Sequence, residues 1–490
     1  MKNLYILLIT LFVFTFSNAQ IVDIPDADFK NALVNTNCVD TSNNGQGDSD
    51  ADTNNDGEIQ YSEAEAVEGL YVLSGEIYDL TGIEAFINLT RLRIQDQFFS
   101  TVDLSQIENL EYLYLNNNTN LESLDVTNNT LLRSLVISFG LITELDLSQN
   151  LNLSSLSMYY LQLNSLDVFN NLTLTDLNLI GNNITEIDIS NNINLEYLKL
   201  ENSQLTNIDV SQNVDLTQIL ITNTPINNID LFQNLALSNL TFSGTNATNL
   251  DVTNNIELFR LYIPETEIAS IDLTNNINLQ YLDISSTSIT NIDPSIFPNL
   301  ITLKISNTGI SALDVSSNIE LAYMNFNNTT LTTIDFSNNP ELRYVNGRDN
   351  FLIEYINIKN GTNIDLETFN VSNSPNLSCI QVDDIDYANN QDCENDYWCK
   401  DEWTEYNEEC VLGLEDNTQI NFTIFPNPAQ NILNIESQQP IESLKIYNLQ
   451  GQLIRESSKS SVDVSQLIAG LYFIQLSVEG IAITKKFIKN

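Results

Sequence analysis

The chain has 490 residues, which is enough for several domains or one long repeat array. It carries 18 basic and 65 acidic residues, a formal net charge of -47 at pH 7, and no histidine. Such a surface repels nucleic acid and anionic membranes, and the missing imidazole excludes Ser-His-Asp and Cys-His catalysis as well as histidine-ligated zinc.

Residues 1–19 are predicted to be a signal peptide. Lys2 supplies a basic start, residues 4–16 are almost wholly apolar, and small residues precede a cleavage point at Ala19. This apolar run is short for a membrane span, and no later stretch is apolar enough to cross a bilayer. The exported chain is therefore expected to begin near Gln20, in an environment that permits disulfides.

Residues 20–66 are predicted to form a helical cap, with a helix starting within residues 24–33. Residues 52–63 then place oxygen donors at alternate positions, a glycine at the sixth and a glutamate at the twelfth. This spacing resembles the EF-hand calcium loop over its whole length. The resemblance implies a structural calcium ion held by Asp52, Asn54, Asp56, Glu58 (through its carbonyl) and Glu63. Asp48 and Asp50 are alternative ligands, and a polar turn joining two helices is the alternative without metal.

Residues 67–378 repeat with a period of 21 residues. Aspartates keep this period at 125, 146, 167, 188, 209, 230, 251, 272, 293, 314 and 335. Leucines keep it at 132, 153, 174, 195, 216, 237, 258, 279, 300, 321 and 342. Looser copies begin at Val67 and Leu89, which gives roughly 14 coils in all. Stacked coils of this kind share one continuous apolar core, which a single coil cannot form alone.

The repeat resembles the leucine-rich repeat family. Positions 1, 4 and 6 of each coil alternate as in a half-buried strand, so positions 3, 5 and 7 should face outward. The short period leaves room only for turns, short strands or extended chain on the return leg. Each aspartate is predicted to point outward there and to bond the backbone of a turn, with cation binding as the alternative. A second column is predicted to satisfy buried backbone groups as an asparagine ladder, interrupted by Phe297: Asn129, Asn150, Asn171, Asn192, Asn213, Asn234, Asn255, Asn276, Asn318 and Asn339.

The outward strand positions are the predicted binding surface, because they need not hold the fold together. Tyrosine and asparagine there combine flat contact area with hydrogen bonding. The alternative is that tyrosine merely coats the sheet, since it favours strands generally. The candidate ligand-binding residues are Tyr112, Tyr114, Tyr197, Tyr262, Tyr281, Tyr323 and Tyr344.

Residues 379–410 are predicted to close the open end of the core. They contain four of the five cysteines, and the fifth is Cys38. Up to two local disulfides with three possible connectivities are open to Cys379, Cys393, Cys399 and Cys410. The segment resembles the C-terminal caps of exported bacterial repeat proteins. Residues 411–421 are predicted to be a linker.

Residues 422–490 alternate short apolar runs with Gly and Pro, which indicates a small antiparallel β-sandwich. The ordered set of P-N-P at 426–428, Y-N-L-x-G at 447–451, L-x-x-G-x-Y at 467–472 and the basic end at 485–489 resembles the type IX secretion sorting domain. The resemblance implies handling by that secretion machinery, removal of the domain, and release or attachment at the cell surface.

The predicted fold is therefore mostly β: a leucine-rich-repeat solenoid with a small helical N-terminal cap and a C-terminal antiparallel β-sandwich domain. The predicted function is non-enzymatic recognition of an extracellular protein or glycan, for example as an adhesin. Two alternatives stay open at this point, a secreted hydrolase that uses paired carboxylates and a purely structural surface protein. Neither nucleic acid nor a transmembrane segment in the mature chain is expected.

Overall fold

The structure is a computed structural model that describes residues 20–73, 75–393, 397–410, 422–437, 441–448, 452–457, 459–478 and 481–490. The predicted signal peptide (1–19) and the predicted linker (411–421) lie outside the described residues. The chain divides into two compact units, residues 1–410 and residues 411–490. Each unit contains a hydrophobic core of its own.

The N-terminal cap contains two short helices, α1 (Ala27–Asn35) and α2 (Tyr61–Ala64). The side chains of Phe29 and Leu33, one turn apart on α1, are fully buried. Residues spaced by four lie on the same face of a helix, so this pair directs α1 onto the core of the solenoid. The helix expected within residues 24–33 is thus present, although it starts later and extends further.

The carboxylate of Asp26 connects the cap to the first coil. It accepts hydrogen bonds from the backbone N–H groups of Asp28 and Phe29, which leaves fewer unpaired donors at the start of α1. The same carboxylate accepts the backbone N–H groups of Tyr78 and Asp79 at 2.9 and 3.1 Å. One side chain therefore fixes both the start of the helix and its position on the repeat array.

The larger unit is a solenoid built on one parallel sheet of sixteen strands. In order across the sheet, the strands are β1 (Gly69–Val72), β2 (Arg91–Gln95), β3 (Tyr112–Asn116), β4 (Ser134–Ser138), β5 (Ser155–Tyr159), β6 (Asp176–Ile180), β7 (Tyr197–Glu201), β8 (Gln218–Thr222), β9 (Asn239–Ser243), β10 (Arg260–Tyr262), β11 (Tyr281–Asp283), β12 (Thr302–Lys304), β13 (Tyr323–Asn325), β15 (Tyr344–Asn346), β17 (Thr368–Asn370) and β19 (Trp398–Cys399). Each coil contributes one strand. All but β19 fall within residues 67–378, so that range holds one coil more than the roughly 14 predicted from the repeat.

The register of this sheet follows the period of the sequence. Tyr197 of β7 pairs with Gln218 of β8, 21 residues later, and the same offset continues into β9. Along β7 the side chains of Leu198 and Leu200 are fully buried, while Tyr197 and Lys199 face outward. Each fully buried leucine contributes roughly 1.5–3 kcal/mol of transfer free energy. The predicted alternation is confirmed, and stacking makes one continuous core from these layers.

The predicted asparagine ladder is also confirmed. Asn213 is fully buried, and its side-chain N–H₂ donates to the carbonyls of Ile189 and Asn192 at 2.9 and 2.8 Å. The other nine asparagines of the column make the same pair of bonds to the preceding coil. Phe297 takes one rung as a buried apolar side chain, and its carbonyl still accepts from Asn318.

The aspartate column lies on the return leg and points outward. Asp209 is exposed between buried Ile208 and Val210, and its carboxylate accepts the backbone N–H of Ser211 at 2.9 Å. This hydrogen bond and one from the Ser211 side chain lower the pKa of Asp209 below its usual value. The pKa is lowered in the same way at Asp125, Asp146, Asp188, Asp251, Asp272 and Asp314. The predicted turn role of these carboxylates is confirmed.

Late in the solenoid the return leg becomes a second, four-stranded parallel sheet. Its strands are β14 (Thr333–Asp335), β16 (Tyr355–Asn357), β18 (Cys379–Gln381) and β20 (Glu405–Asn407). A short helix, α3 (Ile385–Asn389), follows β18. The predicted cap at 379–410 therefore adds strands to both sheets before the core ends.

The structure selects one of the three disulfide connectivities that the sequence left open. Cys379 is bonded to Cys410, and Cys393 is bonded to Cys399. Cys38 is a free, fully buried thiol in the N-terminal cap, and burial raises its pKa to about 12. At that pKa the thiol stays protonated and unreactive near neutral pH.

The smaller unit consists of two antiparallel sheets. One contains β21 (Phe422–Phe425), β22 (Ile432–Ser437) and β25 (Ser461–Asp463), and the other contains β23 (Ser443–Tyr447), β24 (Leu453–Ser457), β26 (Gly470–Val478) and β27 (Ile481–Lys489). Their inward side chains form a separate core, with Phe422 and Phe487 among its largest members. This arrangement confirms the predicted C-terminal antiparallel sheets.

Candidate binding face

The outward positions of the main sheet form a groove over its C-terminal half. Strands β10 to β13 and β15 line a cavity of about 440 Å³ on this face. Its walls are Tyr262, Tyr281, Thr302, Lys304, Tyr323, Met324, Asn325 and Tyr344. Four of the seven predicted ligand-binding tyrosines are thus brought together, although they are up to 82 positions apart in the sequence. The in-register stacking of coils produces this proximity.

Beside the N-terminal end of this groove, the guanidinium of Arg260 packs against three aromatic rings. Its guanidinium carbon lies 4.6 Å from the ring centroid of Tyr281 and 5.6 Å from that of Tyr262. Phe259 lies on a further side at 5.8 Å. Cation–π contacts of this kind fix the plane of the guanidinium without using its N–H donors. Sequence reasoning placed Arg260 on the outward face but did not include it among the site residues.

The middle of the groove pairs a cation with a nearly buried carboxylate. Lys304 Nζ lies 3.6 Å from Asp283 Oδ2 and 6.0 Å from the ring centroid of Tyr262. Further along, the ring centroids of Tyr323 and Tyr344 are 6.3 Å apart, and Tyr323 is 49% exposed. The groove therefore offers aromatic faces, hydroxyl groups and amide groups, and its charged groups are few.

The remaining three candidate tyrosines lie elsewhere on the same face. Tyr112 and Tyr114 are the outward residues of β3 and pair in register with Arg91 and Arg93 of β2. Tyr197 is an outward residue of β7, and burial raises the pKa of its hydroxyl. Of the seven candidate tyrosines, four thus line the groove, two lie together on β3 and one, Tyr197, lies apart from the others.

Residues 52–63 form a compact hydrogen-bonded turn between α1 and α2. The carboxylate of Asp52 is nearly buried and accepts the backbone N–H of Gly57 at 2.7 Å. The side chain of Gln60, at the ninth loop position, bonds to those of both Asn54 and Asp56. Gln60 belongs to this cluster, and the sequence-based ligand set omitted it.

The two glutamates of the loop have different roles. Glu63 is nearly buried and accepts the backbone N–H of Gln60 at 3.0 Å, forming the capping box at the start of α2. Glu58 forms an ion pair with Lys30 of α1 through one carboxylate oxygen, and its backbone carbonyl is the group predicted to bind calcium. The described residues contain no group of three or more acidic or cysteine side chains arranged to hold a metal ion. The loop side chains still keep acceptor capacity, because each carboxylate oxygen has two lone pairs.

The larger unit has the fold of a leucine-rich-repeat solenoid, and its outward strand positions form the candidate binding face. The smaller unit is a separate domain, and its sequence matches a secretion domain. Residues 423–490 match the family described as the secretion system C-terminal sorting domain. This is a type IX secretion sorting domain, so the chain is exported to the cell surface or beyond it. No helix among the described residues is long and apolar enough to span a membrane.

Solved structures of other proteins are similar to this chain, and the first of them shares its fold. The functional domain of InlJ from Listeria monocytogenes is 22% identical with a TM-score of 0.55, and the match covers 96% of this chain and 100% of that one. The internalin InlF from Listeria monocytogenes is 20% identical over 66% of this chain and 88% of that one, with a TM-score of 0.48. YopM from Yersinia pestis is 19% identical over 63% and 80%, with a TM-score of 0.45. A search of curated proteins found no match to the sequence.

Proposed function

We propose that this chain is a non-enzymatic binding protein that acts at the cell surface or as a secreted molecule. It recognises a protein or glycan through the strand face, which is the outward face of the main sheet. The observation that carries the proposal is the groove of β10–β13 and β15, where four outward tyrosines and Lys304 converge. Tyrosine on a rigid strand gives large contact area at low entropic cost. The four tyrosines of the groove make none of the ladder or turn hydrogen bonds that hold the coils together.

The acidic side chains give no support to the alternative of a carboxylate-based hydrolase. A general acid needs a carboxyl pKa raised towards the working pH. Hydrogen bonds instead lower the pKa of individual return-leg aspartates, such as Asp188 and Asp272. A purely structural coat protein needs no groove, so ligand-dependent stabilisation separates that alternative from the proposal.

The experiment begins with residues 20–490 on protein and glycan arrays and continues with titrations of any ligand found. Replacing Tyr281 and Tyr323 with Ala should weaken binding by about 2 kcal/mol or more, as expected for tyrosines central to an interface. Tyr78→Ala is the matched control, because Tyr78 is 60% exposed and lies off the strand face. Asp209→Ala should lower stability by about 1 kcal/mol through its lost turn bond and spare affinity. Loss of binding in Asp209→Ala at full stability would reverse the assignment of the two faces.

We further propose that residues 52–63 bind one structural calcium ion through Asp52, Asn54, Asp56, Glu63 and the carbonyl of Glu58. The supporting observations are the loop spacing and the clustering of these oxygens around Gly57 and Gln60. The ion would stabilise the cap, because Glu63 both caps α2 and bonds the backbone of Asn54 at 3.1 Å.

A further inference from the structure

The charges of the solenoid are segregated between its surfaces. Residues 20–410 contain 58 acidic and 11 basic side chains. The strand face, defined here as the first, third and, where present, fifth residues of each main-sheet strand from β1 to β17, contains three acids, Asp176, Glu201 and Asp283. Glu201 forms an ion pair with Lys199 at 3.3 Å. The strand face also contains five of the 11 basic residues: Arg91, Arg93, Lys199, Arg260 and Lys304. The strand face thus has a charge of 5 − 3 = +2, and the rest of the unit has (11 − 5) − (58 − 3) = −49.

None of the three arginines on this face, Arg91, Arg93 and Arg260, has a carboxylate of a described residue within ion-pair distance, despite the excess of acids. The Nε atoms of Arg93 and Arg260 are buried, and no described residue is their hydrogen-bond partner. Off the face, by contrast, Arg133 pairs with Glu111 at 3.1 Å, and Arg343 lies 3.6 Å from the carboxylate of Asp365. Arg93 Nη2 donates to Gln95 Oε1 at 2.9 Å, and the other Nη donors of Arg93 and Arg260 remain for a planar anion, which arginine binds in a fork geometry.

The spacing of these cations fits a long ligand. Arg93 lies on β2 and Arg260 on β10, eight strands further along the sheet. At about 4.8 Å between strands, the two are separated by about 38 Å, and Lys199 of β7 lies between them. One strand step is close to the length of one sugar residue in an extended polysaccharide. A polymer crossing the strands can therefore place successive residues over successive coils.

The outward side chains near Arg260 favour a polyhydroxylated ligand over a peptide. Those of β9 to β13 and β15 are tyrosine, asparagine, serine, threonine, arginine, lysine and aspartate, with no aliphatic residue among them. The centres of protein interfaces are more apolar than their rims, whereas the outward positions here offer aromatic rings but no aliphatic side chain. Tyrosine rings instead suit the carbon–hydrogen faces of sugars, while amides and hydroxyls match their OH groups.

We propose, building on the proposed function, that the strand face binds an acidic polysaccharide whose carboxylates are received by Arg93 and Arg260. The acidic return leg does not oppose this, because charges more than about 8 Å from the ligand are largely screened at physiological salt. It favours the strand face for an anionic ligand instead, since the rest of the solenoid carries a net charge of −49.

The test uses residues 20–490 and short oligomers of polygalacturonate and alginate, with methyl-esterified oligogalacturonate as the neutral counterpart. The acidic oligomers should bind, added sodium chloride should weaken binding, and the ester should bind at least about tenfold more weakly. Arg260→Gln and Arg93→Gln should each reduce affinity about tenfold or more. Arg260→Lys should fall in between, because it keeps the charge and loses the fork. Arg133→Gln is the control, since it removes the same charge away from the face.

The outcomes separate this inference from the proposed function. If the acid and the ester bind equally, Arg260→Gln keeps the wild-type affinity and Tyr281→Ala loses affinity, then the ligand is not recognised by its charge. That result would overturn the acidic polysaccharide and leave the strand face as the binding surface. The acidic polysaccharide would also be overturned if no acidic oligomer binds while a protein or poly-glutamate binds with an affinity that Tyr281→Ala lowers. Acidic oligomers that bind Arg260→Gln and Tyr281→Ala as well as the wild type would overturn both.

Discussion

Replacing one rung of the asparagine ladder should weaken the solenoid measurably. Asn213→Ala removes two buried hydrogen bonds, to the carbonyls of Ile189 and Asn192, each contributing about 1 kcal/mol net. Each carbonyl keeps a second donor, because Ile189 also accepts from the N–H of Asn192 and Asn192 from that of Leu195, at 3.0 and 3.1 Å. The loss should therefore stay near the sum of two bonds, about 2 kcal/mol.

The assay is urea denaturation of residues 20–490 followed by circular dichroism, with the shift of the solenoid transition converted through its denaturant slope. Asn194→Ala is the matched control: the same side chain, at the end of the preceding coil, is exposed and donates one bond, to the carbonyl of Leu172. Exposed substitutions of this kind usually change stability by less than about 0.5 kcal/mol. Equal effects of the two variants would show that the ladder is not what holds successive coils together.

Three further predictions concern the cap, the domain boundary and acid stability. Calorimetry of residues 20–490 should detect about one calcium site that Glu63→Gln removes, and unchanged binding in that variant would exclude the loop as the site. A chain ending at Asn421 should melt cooperatively with the circular dichroism of the solenoid intact, whereas early melting or aggregation would place the boundary elsewhere. Because turn hydrogen bonds lower the folded-state pKa of Asp209, its carboxylate stabilises the fold above the ordinary aspartate pKa and loses this effect as pH falls through the lowered value. The melting advantage of the wild type over Asp209→Asn should thus shrink below about pH 4, and an advantage that persists in strong acid would contradict the turn role.

The periodic parts of the fold could be predicted because each coil repeats the same physical requirement. Leu198 and Leu200 must face a shared core, Asp209 must face solvent between two buried neighbours, and Asn213 must satisfy buried carbonyls. A column of left-handed backbone at the turn after each strand was missed. Asn202, Asn223 and Gly181 at that position are residue types that readily adopt a positive φ. Phe139 and Tyr160 occupy the same position with a positive φ, and their residue types hide the pattern in the sequence.

Features that depend on particular spatial neighbours could not be predicted from the period. The groove needs the rings of Tyr262 and Tyr281 to flank Arg260, and side-chain packing decides that. The pairing of Cys379 with Cys410 depends on where the last strands place the two residues. Gln60 joins the loop cluster because the turn folds back on itself, which spacing alone does not show.

The claim that the strand face is the binding surface is tested most directly by footprinting the complex. Oxidative labelling of residues 20–490, with and without a ligand found on the arrays, should show Tyr281 and Tyr323 protected by the ligand. Tyr61 and Tyr78 are 41% and 60% exposed off the face, and their labelling should stay unchanged. Protection of Tyr61 or Tyr78, with Tyr281 and Tyr323 labelled as in the free protein, would contradict the account.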